Sequence, residues 1–283
     1  TFGRCRVMPS GCGLKENAVE LERASGALQL AFSDQSLRRF FQSGSAKAFL
    51  PSAYGQDIEV VFANTAGGLA DGDVFTYELN ADKNSHIAVT TQAAERVYKA
   101  LRQERARSSL VINATCGSKV SWLPHETILY DGSHFAREIN VSLDKSSTVV
   151  LGEILVFGRQ ASGEIMTKGY MQDHWQIKRD GVLIHAEAFR IKGDIRAVLG
   201  HRAGADQAGV MATLFMIAPD DLNPVLAAIR RQSVPEGAWI ETSLWEGKLV
   251  VRILAPSLYL IKSGIGAILE KMISSPLPRA WAL

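Results

Sequence analysis

The sequence predicts a mainly β protein of stacked sheets, with about two α-helices in its C-terminal half. Three observations carry that expectation. Alternating apolar and polar residues recur in short runs broken by glycine-bearing turns, the period-two pattern of strands. Two of those turns, Asp180-Gly181 in HWQIKRDGVLIHAEAF and Glu246-Gly247 in WIETSLWEGKLVVRIL, read as antiparallel hairpins. Only residues 220–232 and 257–273 carry apolar side chains at helical spacing.

In chain order, residues 1–13 are rich in glycine and small residues and are expected to lie loosely on the surface. Residues 19–34, VELERASGALQLAFSD, alternate across Ser25-Gly26 as a hairpin would. SLRRFFQSGSAKAFLP interleaves apolar side chains with Arg38, Arg39 and Lys47, either a partner-facing patch or a solvated face. The stretch 64–99 opens on NTAGGLADGD, where Gly67, Gly68 and Gly72 permit a sharp turn or a close approach beside Asp71 and Asp73. A strand pair and Glu95 follow. The whole reads as a hairpin with polar ends or as a site for something cationic.

Residues 107–123 suggest a hairpin turning at Cys116-Gly117-Ser118. Pro124 forces Leu123 into an extended conformation, and Asp131-Gly132 marks a tight turn. Another strand pair, 138–143 and 148–157, surrounds DKSS. The first helix tolerates Pro224 in its opening turn and spaces Leu222, Val225, Leu226 and Ile229 along one side. The second carries Leu258, Ile261, Ile265, Ile268, Leu269 and Met272 before Pro276 and Pro278 stop it. No linker or repeat divides the chain, so residues 1–283 are expected to form one domain.

Bulk composition narrows the function. The net charge of +2, from 31 basic and 29 acidic residues, is too balanced for a protein that neutralises nucleic-acid phosphates. Three cysteines, Cys5, Cys12 and Cys116, argue against a disulfide framework and for a reducing compartment. TFGRCRVMPSGCG lacks the apolar core of a signal peptide, and residues 254–268 are too broken to span a bilayer. A soluble cytoplasmic protein without membrane contact is expected. The nucleophile-elbow, Walker and dinucleotide motifs are absent. His86, His125, His134, His174, His185 and His201 show no metal-ligand spacing, and Cys5 and Cys12 are too far apart for a zinc knuckle.

Carboxylates are the remaining candidates: Asp71, Asp73, Glu95, Glu126, Asp131, Glu153, Glu164 and Glu187 sit at strand ends or within apolar strands. Glu153 lies in VVLGEILVFG. Alternation puts Glu187 on one strand face with Leu183, His185 and Phe189. A carboxylate on an apolar face costs several kcal/mol, roughly, unless paired, hydrated or protonated. Either these acids form salt bridges, with Arg159 or Arg190 as partners, or they line a wet interior through which a divalent cation passes.

SGSAKAFLP, NTAGGLADGD, TTQAAERVYKA, WLPHETILYDGS, GEILVFGRQASGE and the terminal LPRAW, in this order and spacing, resemble the UreD (UreH) urease accessory protein family. The resemblance implies a two-layer, β-helix-like architecture and a non-catalytic maturation factor. It implies binding to the urease structural subunits with UreF and with UreG, the GTPase that carries nickel. It also implies no tightly bound cofactor but nickel in transit through a water-filled tunnel. By motif, the acids tied to that passage fall on Asp73, Glu153 and Glu187, with Glu95, Glu126 and Asp71 as further candidates. Glu95 replaces the small hydroxyl that some relatives carry. Arg96 and Tyr98, and Arg279 and Trp281 of the tail, are candidates to face partners; alternatively the tail folds back with Trp281 on the core. Two rivals stand beside this reading. One is a β-rich metallohydrolase using Asp71, Asp73, His125 and Glu126 around a divalent ion. The other is a pure adaptor whose acids are structural.

Overall fold

A computed structural model describes residues 22–52, 57–102 and 104–282; residues 1–13, with Cys5 and Cys12, lie outside them. The strands begin with β1 (Ser25–Ser33), β2 (Ser36–Gly44), β3 (Ala46–Phe49), β4 (Ile58–Asn64), β5 (Val74–Asp82) and β6 (His86–Thr91). Then come β7 (Glu95–Val97), β8 (Ala106–Ala114), β9 (Lys119–Leu123), β10 (Thr127–Leu129), β11 (His134–Leu143) and β12 (Thr148–Phe157). The last are β13 (Lys168–Arg179), β14 (Val182–Asp194), β15 (Val210–Ile217), β16 (Trp239–Trp245) and β17 (Lys248–Ala255).

These strands form two layers. The first has the order β14-β13-β11-β8-β5-β1-β2, and its members from β1 to β13 run parallel. The second has the order β16-β17-β15-β12-β9-β6-β4-β3, with β4, β6, β9 and β12 parallel. β7 and β10 extend it, β10 lying between β12 and β7. The chain therefore winds as a coil, crossing from one layer to the other and back. Antiparallel strands close the stack: β2, β3, β14 and the set β15-β17-β16.

The two hairpins signalled by Asp180-Gly181 and Glu246-Gly247 are present as β13-β14 and β16-β17. Three other pairings expected from the sequence are not. The turn at Cys116-Gly117 carries the chain from β8 in the first layer to β9 in the second. Likewise β11 and β12 do not pair, and neither do β5 and β6 of the central stretch. Left-handed residues serve these corners as they would serve a hairpin: Asn84 and Cys116 both have positive φ. Successive corners stack, with the Asn84 N–H donating to Cys116 O at 2.9 Å. Near the N-terminus, β1 runs straight through Ser25-Gly26, and its hairpin to β2 turns at Asp34-Gln35.

Inward residues of both layers make the main core, with Phe75, Phe135 and Trp175 facing Phe62, Val89 and Phe215. A second core lies outside the second layer under α2 (Asn223–Arg230) and α3 (Leu258–Ile273). Both helices fall where the apolar spacing puts them, and Ile261, Ile265, Ile268, Leu269 and Met272 are buried. Each such side chain contributes about 1.5–3 kcal/mol. A short helix, α1 (Ile195–Gly200), has no counterpart in the sequence pattern; Asp194 caps it by accepting from Ala197 N–H at 2.9 Å. Among the described residues no helix is long and apolar enough to cross a membrane.

Candidate functional site between the layers

Covered by helices on one side and facing the first layer on the other, β12 is buried on both faces. Its alternation sends Glu153 inward with Leu151 and Leu155. The same period sends Arg137 of β11 inward between Phe135 and Ile139, and Asp173 of β13 inward between Met171 and Trp175. Parallel registry then aligns polar residues across strands. In the first layer Ser108, Arg137 and Asp173 are neighbours on one level. In the second, Glu153, Thr213 and Arg252 are.

The inward groups are tied together. Arg137 donates through Nη1 to Glu153 Oε2, through Nε to Asp173 Oδ1 at 3.1 Å, and through Nη2 to Asp173 Oδ2. Trp122 Nε1 donates to Glu153 Oε1 at 2.8 Å and Trp175 Nε1 to Asp173 Oδ1 at 2.9 Å. Glu153 is 3% exposed, Arg137 7% and Asp173 5%. Burial pushes the Glu153 carboxyl up from its ordinary range, against the pull of Arg137. For Glu187, burial opposes ionisation, but hydrogen bonds from His185 and Arg252 outweigh it and hold the carboxyl at about 2. His185 Nε2 lies 3.0 Å from its Oε1, and Arg252 also donates to Thr213 at 2.7 Å.

Both acids singled out from the sequence are thus paired with arginines, though with Arg137 and Arg252 rather than Arg159 or Arg190. Arg159 pairs with Glu164 at 2.8 Å, and Arg190 is exposed. The surroundings are not sealed. A cavity of about 220 Å³ lies on one side of Glu153, lined among others by Asn64, Glu95, Ser108, Thr127 and Arg137. A smaller one of about 50 Å³ lies on the other, between Glu153, Asp173, Glu187, Thr213 and Arg252. Apolar side chains make up much of each wall, but both hold several polar groups and are large enough for water, which needs roughly 10–15 Å³.

Glu95, on β7, faces the larger cavity with Asn64 Nδ2 at 3.2 Å from its Oε1. Burial, aided by the charge of Asp73, raises its carboxyl to about 7. The two segments that flank this mouth are joined. Leu69 and Val97 pair, and Tyr98 donates from its hydroxyl to Gly67 O at 2.7 Å. Gly68 has φ +147°, and a Cβ there would lie 2.6 Å from the Tyr98 ring and 2.7 Å from Arg96 O. Gly68→Ala is expected to cost about 1–3 kcal/mol. A thermal melt checks it.

Other candidates hold contacts with backbone or with basic side chains. Asp73 accepts from Ala24 N–H at 2.8 Å and Ala70 N–H at 2.7 Å; Asp71 accepts from Arg102 N–H at 2.7 Å and pairs with Arg23. Neither lines either cavity. Glu126 pairs with Lys262 at 2.9 Å. His125 stacks on Trp281 and lies 3.1 Å from Ala280 O, and burial lowers its pKa. The carboxylates of the supposed hydrolase site thus face backbone N–H groups, Arg23 and Lys262. Among the described residues no three His, Cys, Asp or Glu side chains are grouped to hold a metal.

The tail folds back rather than projecting. Trp281 Nε1 donates to Leu123 O at 2.9 Å, and Arg279 binds Ser52 O and Glu59. Of the partner-facing candidates, Arg96 and Arg279 are exposed, while Tyr98 braces the glycine turn. Sequence reasoning missed Arg137 and Asp173. The signal was there: each is a charge on the inward face of an alternating apolar strand, the same pattern that singled out Glu187.

The family model for the UreD urease accessory protein matches residues 24–282. A urease accessory protein UreD of Azorhizobium caulinodans is 38% identical across 86% of this chain and 89% of its own length. One of Xanthobacter autotrophicus is 35% identical across 97% of this chain and 95% of its own. A match that runs from the first strand of the coil to the folded-back tail includes every element that shapes the two cavities, and the chain belongs to the UreD urease accessory protein family.

Proposed function

We propose that this protein acts in the cytoplasm as a non-catalytic scaffold for urease maturation, binding the urease structural subunits together with UreF and UreG. In this reading nickel received from UreG crosses between the two layers, from the Glu95 cavity past Glu153 to Glu187, without a resident cofactor. One observation carries it: carboxylates from four strands line two water-sized cavities that share Glu153. Carboxylate and water suit a divalent ion that must leave again, whereas a dense imidazole or thiolate site would retain it. Exposed Phe40, Phe41, Phe49 and Leu50 give the scaffold apolar surface of the kind that protein partners cover.

The adaptor reading, in which the acids are structural, draws on the same ion pairs with Arg137 and Arg252. Copurification with urease subunits, followed by metal analysis after nickel and GTP are supplied, separates the two. Glu153→Gln is expected to assemble like wild type, since Trp122 still has an acceptor, yet to lower the nickel content of urease about tenfold. Normal nickel loading by Glu95→Gln, Glu153→Gln and Glu187→Gln alike would leave only the adaptor.

A further inference from the structure

The two cavities share one charged side chain, Glu153, while Arg137 lines only the larger and Asp173 only the smaller. The Arg137 guanidinium stands between these carboxylates and ties the first layer to the second where the chambers meet. We propose that Arg137 is a movable plug that decides which cations pass, a divalent ion advancing from the larger chamber to the smaller only by displacing the guanidinium from Glu153. This inference rests on the ion route proposed above and names the residue that controls it.

Charge, anchoring and space each support it. One guanidinium faces two carboxylates, which leaves a buried surplus of negative charge when both are ionised. A monovalent ion that replaced it would exchange like for like and forfeit charge-assisted hydrogen bonds. A divalent ion brings the missing charge. The carboxylates are held independently, Glu153 by Trp122 and Asp173 by Trp175, so they keep their places when the arginine leaves. Arg137 is the long, flexible member. The cavity of about 220 Å³ on its own side has room for its head group, with Thr127 Oγ1 at 3.5 Å and the Glu95 carboxyl lining the same space.

Calorimetric titration of the full chain with nickel chloride tests the plug directly. With Arg137→Gln, nickel is expected to bind at one site about tenfold or more tighter than to wild type. Adding Glu153→Gln to that variant is expected to abolish the gain. A cooperatively melting Arg137→Gln protein whose nickel affinity equals that of wild type would overturn the proposal. Should Arg137→Gln fail to fold, Arg137→Lys carries the test with the same two outcomes, since it keeps one charge but lacks the fork that spans both carboxylates. Failure of the plug and failure of the route are distinguishable. Loss of urease loading by Glu153→Gln without a gained nickel site in the arginine variants keeps the route and removes the plug. A gained site with normal loading by Glu95→Gln, Glu153→Gln and Glu187→Gln alike removes the route, and the plug falls with it.

Discussion

Arg137→Ala is expected to lower stability at pH 8 by about 3–5 kcal/mol, the cost of stranding one side of a buried ion pair. That corresponds to a fall of roughly 10 °C in melting midpoint for a chain of this size. The cause is specific: Glu153 and Asp173 both lose the guanidinium while remaining out of reach of bulk water. In the variant the Glu153 carboxyl, already pushed up by burial, loses the opposing pull of Arg137 and rises further above its unfolded value. The folded form then binds more protons than the unfolded form, and stability falls as pH rises. The deficit against wild type should therefore shrink as pH drops toward about 5. Melts followed by circular dichroism at both pH values check it. Equal midpoints at pH 8 would mean that the triad contributes nothing to holding the layers together.

Glu95→Gln is expected to act in the opposite direction. Glu95 titrates at about 7 in the folded protein, because burial and the Asp73 charge disfavour its ionised form. Its unfolded value is about 4.3. Between these two values the unfolded chain loses the proton and the folded chain keeps it, so stability declines as pH rises through that window. Above about 7 the penalty is constant, about 1–3 kcal/mol with cavity water solvating the carboxylate. The amide removes that penalty, so the variant should melt higher than wild type at pH 8 and alongside it at pH 4. Its cost should appear in nickel loading, since the first carboxylate of the route is gone. A variant that melts like wild type at pH 8 would place Glu95 in ordinary solvent.

Strand existence, both antiparallel hairpins and the two longer helices were legible because each depends on neighbours within about fifteen residues. Pairing between coils was not. Cys116-Gly117 has the turn chemistry of a hairpin, yet the chain leaves it for the other layer because β8 already has β5 and β11 as neighbours. Nothing local to residues 107–123 records those neighbours. The buried acids were legible for a simpler reason: Glu153 and Glu187 interrupt apolar runs, and period-two alternation tells which way they point. Their partners were not, since Arg137 lies 16 residues from Glu153 and Arg252 lies 65 from Glu187. On this strand alternation misled at Leu183, which is exposed, and at Ile184, which packs on the core, where the β13-β14 ladder shifts register at Ile177/Lys178.

Residue-on-residue alignment of the parallel strands makes chain length in this protein a matter of parity. Deleting one residue from β11 ahead of Arg137 would turn its side chain out to solvent and bring its apolar neighbours' polar alternates inside. Adding a whole coil would keep every inward position inward and deepen the stack by one strand spacing, about 4.8 Å. The architecture can therefore be lengthened only in fixed increments, each reaching one notch farther toward a buried destination.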